Sequence, residues 1–220
     1  MPPLARRRIA VHYLPSRPHY WYALTKLATD PVYAAVRQVF SQAPAKLLDV
    51  GCGIGLLPQC LRGSGVQVEY LGLDVDAAKI EIARAAAEAG GLNHVTFELR
   101  DLLQGLPAHR GSVALLDVLQ YFERQEWHEL LSNAARCVTR EGRLVLRTGL
   151  DDGGWRAALT RAADQVGHAL RWMKTPPRSQ PTLAELQQLL VQHGLRGEFR
   201  PLWGRTPFNN WLVVATRVPP

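Results

Sequence analysis

Four aspartates, Asp49, Asp74, Asp101 and Asp117, fall in or just after short apolar runs, and three glycines, Gly51, Gly53 and Gly55, follow the first of them two residues apart. Glycine tolerates positive φ and carries no Cβ, so a loop built this way turns tightly and lets its backbone approach a ligand closely. Residues 56–61 read as the start of a helix whose free N–H groups would face the same ligand. Asp74 falls about twenty residues beyond the loop, where a neighbouring parallel strand ends beside a ribose, and a carboxylate there can accept from both hydroxyls. An alternative for Asp74 is to cap the helix over 77–89, a task that Asp76 suits better. The chemistry implied is that of a nucleotide-type site. The dinucleotide fingerprint Gly-x-Gly-x-x-Gly is not met, because the third glycine comes one residue early and Leu56 stands in its place.

These residues need strands to hold them. Leu47, Leu48 and Val50 form a buried strand that breaks into the glycines. Further strands are predicted over 66–73, 95–99, 113–117 and 142–147, alternating with helices over 77–89 and 126–138; on the latter, Trp127, Leu130, Leu131, Ala134 and Cys137 share a side. That alternation implies a parallel sheet wound on both faces, an α/β fold. Strands over 196–203 and 211–217 are joined by a connection too short for a crossover helix, so they must form an antiparallel hairpin. Helical spacing also marks 155–173, stopped by Pro176-Pro177, and 183–193. Ahead of the first strand, residues 1 to about 18 are expected to be irregular. Helical pieces follow over 23–28 and from Asp30-Pro31 to about 42, with Asp30 as N-cap. The expected organisation is a helical segment over 1–44 and a ligand-binding domain over 45–220, with an inserted helical cap at about 151–182.

The 220 residues are 47% apolar and 20% charged, enough for one ordinary core. No stretch reaches the roughly 18 apolar residues of a membrane span. Arg6-Arg7-Arg8 is followed by no apolar region, so no signal peptide is expected. Cys52, Cys60 and Cys137 lack metal-ligand spacing. A cytoplasmic protein with reduced thiols and no metal is the expectation. The net charge of +7 comes from 22 arginines and 4 lysines against 19 acids. It fits a generally arginine-rich surface, an acidic partner such as an acyl carrier protein or an anionic lipid surface, or nucleic acid. The arginines are scattered and form no basic helix interleaved with aromatics, which counts against nucleic acid.

Asp49-Val50-Gly51-Cys52-Gly53-Ile54-Gly55, with the acid ahead of the glycines, resembles motif I of class I S-adenosylmethionine-dependent methyltransferases. The terminal hairpin is similar to that family's hallmark, which implies a seven-stranded, Rossmann-like sheet in the order 3-2-1-4-5-7-6. The resemblance covers about residues 45–217. It implies S-adenosyl-L-methionine as cofactor, with S-adenosyl-L-homocysteine as product, held by Lys26, Asp49, Gly51, Cys52, Gly53, Gly55, Leu56, Asp74, Val75, Asp101, Leu102, Asp117, Val118 and Gln120. Asp101 would meet the adenine amino group and Leu102 cover the ring. Asp49 and Asp117 would lie near the methionyl amino group, and Lys26 would pair with its carboxylate. The segment before motif I often folds back as a lid, which makes Tyr20 and Tyr22 substrate-side candidates; Trp21 reads equally as packing.

Asp117-Val118-Leu119-Gln120-Tyr121 resembles the small-molecule and lipid-pathway branch and lacks the Asn/Asp-Pro-Pro-Tyr/Phe of base-amine methyltransferases. Together with Lys26-Leu27 and Asp30-Pro31-Val32-Tyr33 it looks similar to methyltransferases of polyketide-like and aryl-polyene pigment pathways, hence of secondary metabolism. The resemblance implies methylation of a small-molecule or carrier-tethered acceptor at a hydroxyl, phenol or carboxylate. Candidate bases are Tyr121, His12, His19 and His168. Arg147, Trp172, Trp203, Phe208 and Asn209 are the remaining candidates to line the acceptor pocket, Arg147 by binding a carboxylate or phosphate. The rivals are an RNA methyltransferase, a nicotinamide-dependent reductase of Rossmann type, and a non-catalytic S-adenosylmethionine-binding protein.

Overall fold

The computed structural model describes residues 1–14, 16–151, 154, 179–203 and 209–218. Every residue of β1 (Leu47–Val50) is buried, as expected of a strand covered on both faces. It pairs in parallel with β2 (Tyr70–Asp74) on one side and β4 (Ser112–Leu116) on the other. β3 (Val95–Leu99) and β5 (Leu144–Gly149) extend the parallel set outward. β7 (Asn210–Arg217) runs antiparallel between β5 and β6 (Leu195–Pro201), which completes seven strands in the order 3-2-1-4-5-7-6.

Alternate strand residues serve opposite faces. On one face Leu48, Val50, Val113, Leu115, Leu144 and Leu146 pack against α6 (Arg124–Cys137) and α7 (Leu183–Gln192). On the other, Leu47, Tyr70, Ala114 and Val145 meet α3 (Val32–Ser41), α4 (Leu56–Arg62) and α5 (Ala77–Ala89). Asp76 caps α5 by accepting the Ala78 N–H at 3.1 Å, which leaves Asp74 free of that task.

The N-terminus departs from the expectation. Residues 3–11 are not irregular but form α1 (Pro3–Val11), and α2 (Arg17–Thr29) begins well before residue 23. Prolines at the first positions of a helix remove N–H groups that would have no intrahelical partner anyway, so they mark a start rather than a break. Ile9 and Ala10 of α1, Tyr13 just beyond it, and Ala23 and Leu27 of α2 close over Leu56 and Cys60 of α4 and Ala86 of α5 as a small third layer. β2 starts at Tyr70 rather than at 66 because Arg62 takes the Val66 and Val68 carbonyls at 2.8 and 2.6 Å. The helix expected over 155–173 lies outside the described residues. None of the described helices is long and apolar enough to cross a membrane.

Candidate functional site at the carboxyl edge of the sheet

The glycine loop between β1 and α4 takes positive φ at Gly51, Gly53 and Gly55 (78, 57 and 74°). Gly51 is required twice over, since a Cβ there would lie 2.5 Å from Cγ2 of Val118. Gly53 has nothing within 4 Å of a Cβ position, so its backbone borders open space. The loop's amides, however, turn inward. Gly51 and Cys52 both donate to the Leu73 carbonyl (2.8 and 2.9 Å), Gly55 donates to Cys52 O at 3.1 Å, and Gly53 donates to Asp74 Oδ2 at 2.9 Å. The expectation that these backbone groups would meet a ligand as donors is corrected to this extent: four of the loop's N–H groups are spent on the protein. Such a loop offers a bare backbone surface to a nucleoside. Gly51→Ala is expected to lower stability by about 2 kcal/mol through strain and clash. Gly51→Ala/Val118→Ala should recover part of the loss in thermal melts; a double variant no more stable than the single would remove the clash as the cause.

Asp74 is buried at the end of β2 and accepts the Gly53 and Asp76 N–H groups, both at 2.9 Å. Its carboxylate therefore lies against the glycine loop. Asp49, expected near an amino group of the ligand, turns instead into the α3–α5 face, where it accepts the Tyr70 hydroxyl at 2.5 Å. Burial raises its pKa from 3.8 to about 7, opposed by the Tyr70 bond and helped by nearby Asp74. Between these two values the folded protein holds a proton that the unfolded chain has released. Stability should therefore fall as pH rises across that window and level off above it. Asp49→Asn keeps an acceptor for Tyr70 and removes the titration. Its melting temperature is expected to change less than the parent's between about pH 5 and about pH 8; equal changes would assign the titration elsewhere.

A four-membered charge cluster joins the N-terminal helices to the sheet edge. Lys26 Nζ lies 2.8 Å from Asp30 Oδ2 and 3.9 Å from Asp117 Oδ2. Arg147 Nη1, from β5, lies 3.4 Å from Asp30 Oδ2 and hydrogen bonds Asp117. Burial opposes the charges of Asp30 and Lys26, but the opposite charges outweigh it: Asp30 is held below its ordinary pKa by Arg147 and Lys26, and Lys26 above its own by Asp117 and Asp30. Asp117 takes a left-handed φ of 62°, which aspartate tolerates better than most residues, and its N–H donates to the Arg147 carbonyl at 2.9 Å. Arg147 is thus already matched by two carboxylates, which corrects the expectation of an open cation awaiting an acidic acceptor. Asp30 does support α3, accepting the Val32 N–H at 3.0 Å, but its pairing with Arg147 was not foreseen. The Tyr33 phenol lies in the same field; burial raises its pKa, with Tyr22, Cys60, Asp30 and Asp117 adding to the effect.

The remaining candidates separate. Asp101 caps the turn Leu102–Gln104 through the Leu103 N–H at 3.0 Å and stays exposed, while Leu102 packs into the main core. Val118 is buried over Gly51, Val75 is exposed, and Gln120 and Tyr121 lie in the turn Leu119–Tyr121 after Asp117. His12 bonds Gln59 Oε1 at 2.8 Å and abuts Gly90, beyond the far end of α5. Because α5 runs back from the carboxyl edge, His12 is at the wrong end of the sheet for a base. His19 stands in the first turn of α2 with Nδ1 buried and without a hydrogen bond. Tyr20 meets Trp21 edge-on at 5.2 Å and Tyr22 is exposed. Asn209 is a stitch rather than a wall: its amide donates to Leu150 O at 2.8 Å and accepts from the Trp211 indole at 3.1 Å. Trp203 stands edge-on to Trp211. His168, Trp172 and Phe208 lie outside the described residues. No cluster of metal-ligating side chains occurs among the described residues.

The strand order and this loop define the fold of a class I S-adenosylmethionine-dependent methyltransferase. Residues 47–142 match the family of methyltransferase domains. Over 119 residues the chain is 32% identical to a probable non-canonical nonribosomal peptide synthetase of Salinispora arenicola, covering 51% of this chain and 2% of that one. It is 24% identical over 136 residues to a tRNA (guanine-N(7)-)-methyltransferase of Yersinia enterocolitica, 62% of this chain and 56% of the relative. An O-methyltransferase family protein from Burkholderia thailandensis superposes with a TM-score of 0.71 at 21% identity, covering 97% of this chain and 63% of that one. The chain thus spans less than two thirds of each of these proteins.

Proposed function

We propose that this chain transfers a methyl group from S-adenosylmethionine to an oxygen of a small-molecule or carrier-tethered acceptor, at a hydroxyl, phenol or carboxylate. The observation that carries the reading is the glycine loop, four of whose amides are spent on the protein while Gly53 borders open space, with Asp74 lying against it. A phosphate-free, cationic nucleoside suits that surface; a nicotinamide dinucleotide does not. Bound S-adenosylmethionine supplies an activated methyl, with sulfur as leaving group for an in-line displacement. The protein's work is therefore to orient two reactants and keep water out.

Asp74 would hold the ribose hydroxyls with the lone pairs its two amide bonds leave over. Asp101 would take the adenine amino group. Lys26 and Asp117, the solvent-facing members of the charge cluster, would receive the carboxylate and ammonium of the methionyl end. Tyr121 and His19 are the candidates among the described residues to accept a proton from the acceptor. Titration calorimetry should show heat with S-adenosylmethionine and none with the nicotinamide cofactors; the reverse would end this reading. A methyl-transfer screen against phenolic acids, hydroxy-fatty acids and carrier-bound acyl groups, read by mass spectrometry, then identifies the acceptor. The tRNA methyltransferase likeness and the +7 charge favour RNA as a second acceptor class. That reading requires RNA binding that weakens steeply with salt.

A further inference from the structure

We propose that the outward face of the α1–α2 hairpin is a docking surface for an anionic lipid bilayer. The first 29 residues carry Arg6, Arg7, Arg8, Arg17 and Lys26 and no acid at all; the first acid in the chain is Asp30. Arg7, Arg8 and Arg17 are exposed, while Lys26 is turned to Asp30 and Asp117. Ile9, Ala10, Tyr13, Ala23 and Leu27 face inward and fix which side looks out. On that outer side Leu4, Arg7, Arg8 and Val11 follow one another at helical spacing, and Leu14, Arg17 and Trp21 continue the exposed surface. Leu4 is 76% exposed and Trp21 59%. Large apolar side chains so exposed, with Leu4 and Val11 at helical spacing beside Arg7 and Arg8, mark an interaction site rather than ordinary scatter.

Leucine, valine and tryptophan interleaved with guanidinium groups match the boundary of a bilayer. The apolar groups enter the acyl region while the arginines stay level with the phosphates. Such a stripe needs no matching pocket in a membrane, whereas a folded partner would have to accommodate each side chain. None of the described helices can span a membrane, so the association is peripheral. The far end of α2 carries Lys26 into the cluster with Asp117. Docking would therefore hold the carboxyl edge of the sheet near the membrane, within reach of an acceptor partitioned there. That last consequence rests on the proposed reaction; the docking itself does not.

The test is co-sedimentation of the full chain with vesicles of phosphatidylcholine alone and of phosphatidylcholine mixed with phosphatidylglycerol, at low and high salt. Binding is expected only to the mixed vesicles and should be released by salt. Arg7→Glu/Arg8→Glu and Leu4→Ser/Trp21→Ser should each weaken it at least tenfold, with circular dichroism confirming that both variants are folded. Equal partition into neutral vesicles, no binding at low salt, or unchanged binding by both variants would overturn the proposal. Capture by soluble polyglutamate with no vesicle binding would also overturn it, in favour of an acidic protein partner.

Discussion

Arg147→Ala is expected to cost about 3–5 kcal/mol of stability, because it leaves two partly buried carboxylates with Lys26 as their remaining partner in the cluster. The pH dependence should also weaken. In the parent, Asp30 is held below its ordinary pKa, so its contribution is present above the unfolded value and lost as pH falls through the folded one. Without Arg147 the folded pKa of Asp30 rises, with Lys26 and the Val32 N–H left to hold it down against burial. The variant should then lose less stability on acidification than the parent. Denaturant titrations at two pH values read both effects. A loss below about 1 kcal/mol with parallel pH curves would mean that the cluster behaves as a solvated surface network. Arg147→Lys should fall between the two, since an ammonium lacks the fork that serves two acids.

The second large effect is expected at Asp74. Asp74→Ala should weaken S-adenosylmethionine binding at least tenfold, equal to about 1.4 kcal/mol. It also leaves the Gly53 and Asp76 N–H groups without their acceptor, at about 1–3 kcal/mol of stability. Asp74→Asn separates the two effects: it retains one carbonyl acceptor for the loop but no longer offers two oxygens to a diol. Calorimetry and thermal melts on both variants resolve binding from folding. Full affinity in the asparagine variant would remove Asp74 from the ribose role and leave it as a brace for the loop.

The sheet was legible because its signals are local. Apolar runs, a capping Asp76 and a connection too short for a crossover are each contained within a few residues, and together they define strands and hairpin. The direction of the loop amides was not legible. It depends on the positive φ of Gly51 and Gly53 and on the carbonyl of Leu73, supplied by a neighbouring strand. The pairing of Asp30 with Arg147 was hidden for a related reason: its partners meet only once α2 and α3 have docked on the sheet. Asp30 next to Pro31 read as a cap and as part of a family-like segment, with no sign of a partner on β5. His12 was misplaced because composition says nothing of which end of α5 the first helix reaches. In α1 the prolines and arginines masked a helix, although Ile9 and Ala10 carry its buried side.

The position of β7 has a consequence for synthesis. β6 pairs with β7 alone, and β7 also covers the edge of β5, so the last strand of the sheet to leave the ribosome fills an interior place. Until residues 210–217 emerge, the nascent chain displays two unsatisfied strand edges at once, the kind of surface that chaperones bind and that seeds aggregation. Ribosome stalling shortly before Asn210 would therefore trap a species far stickier than one in which residues 210–217 have left the exit tunnel.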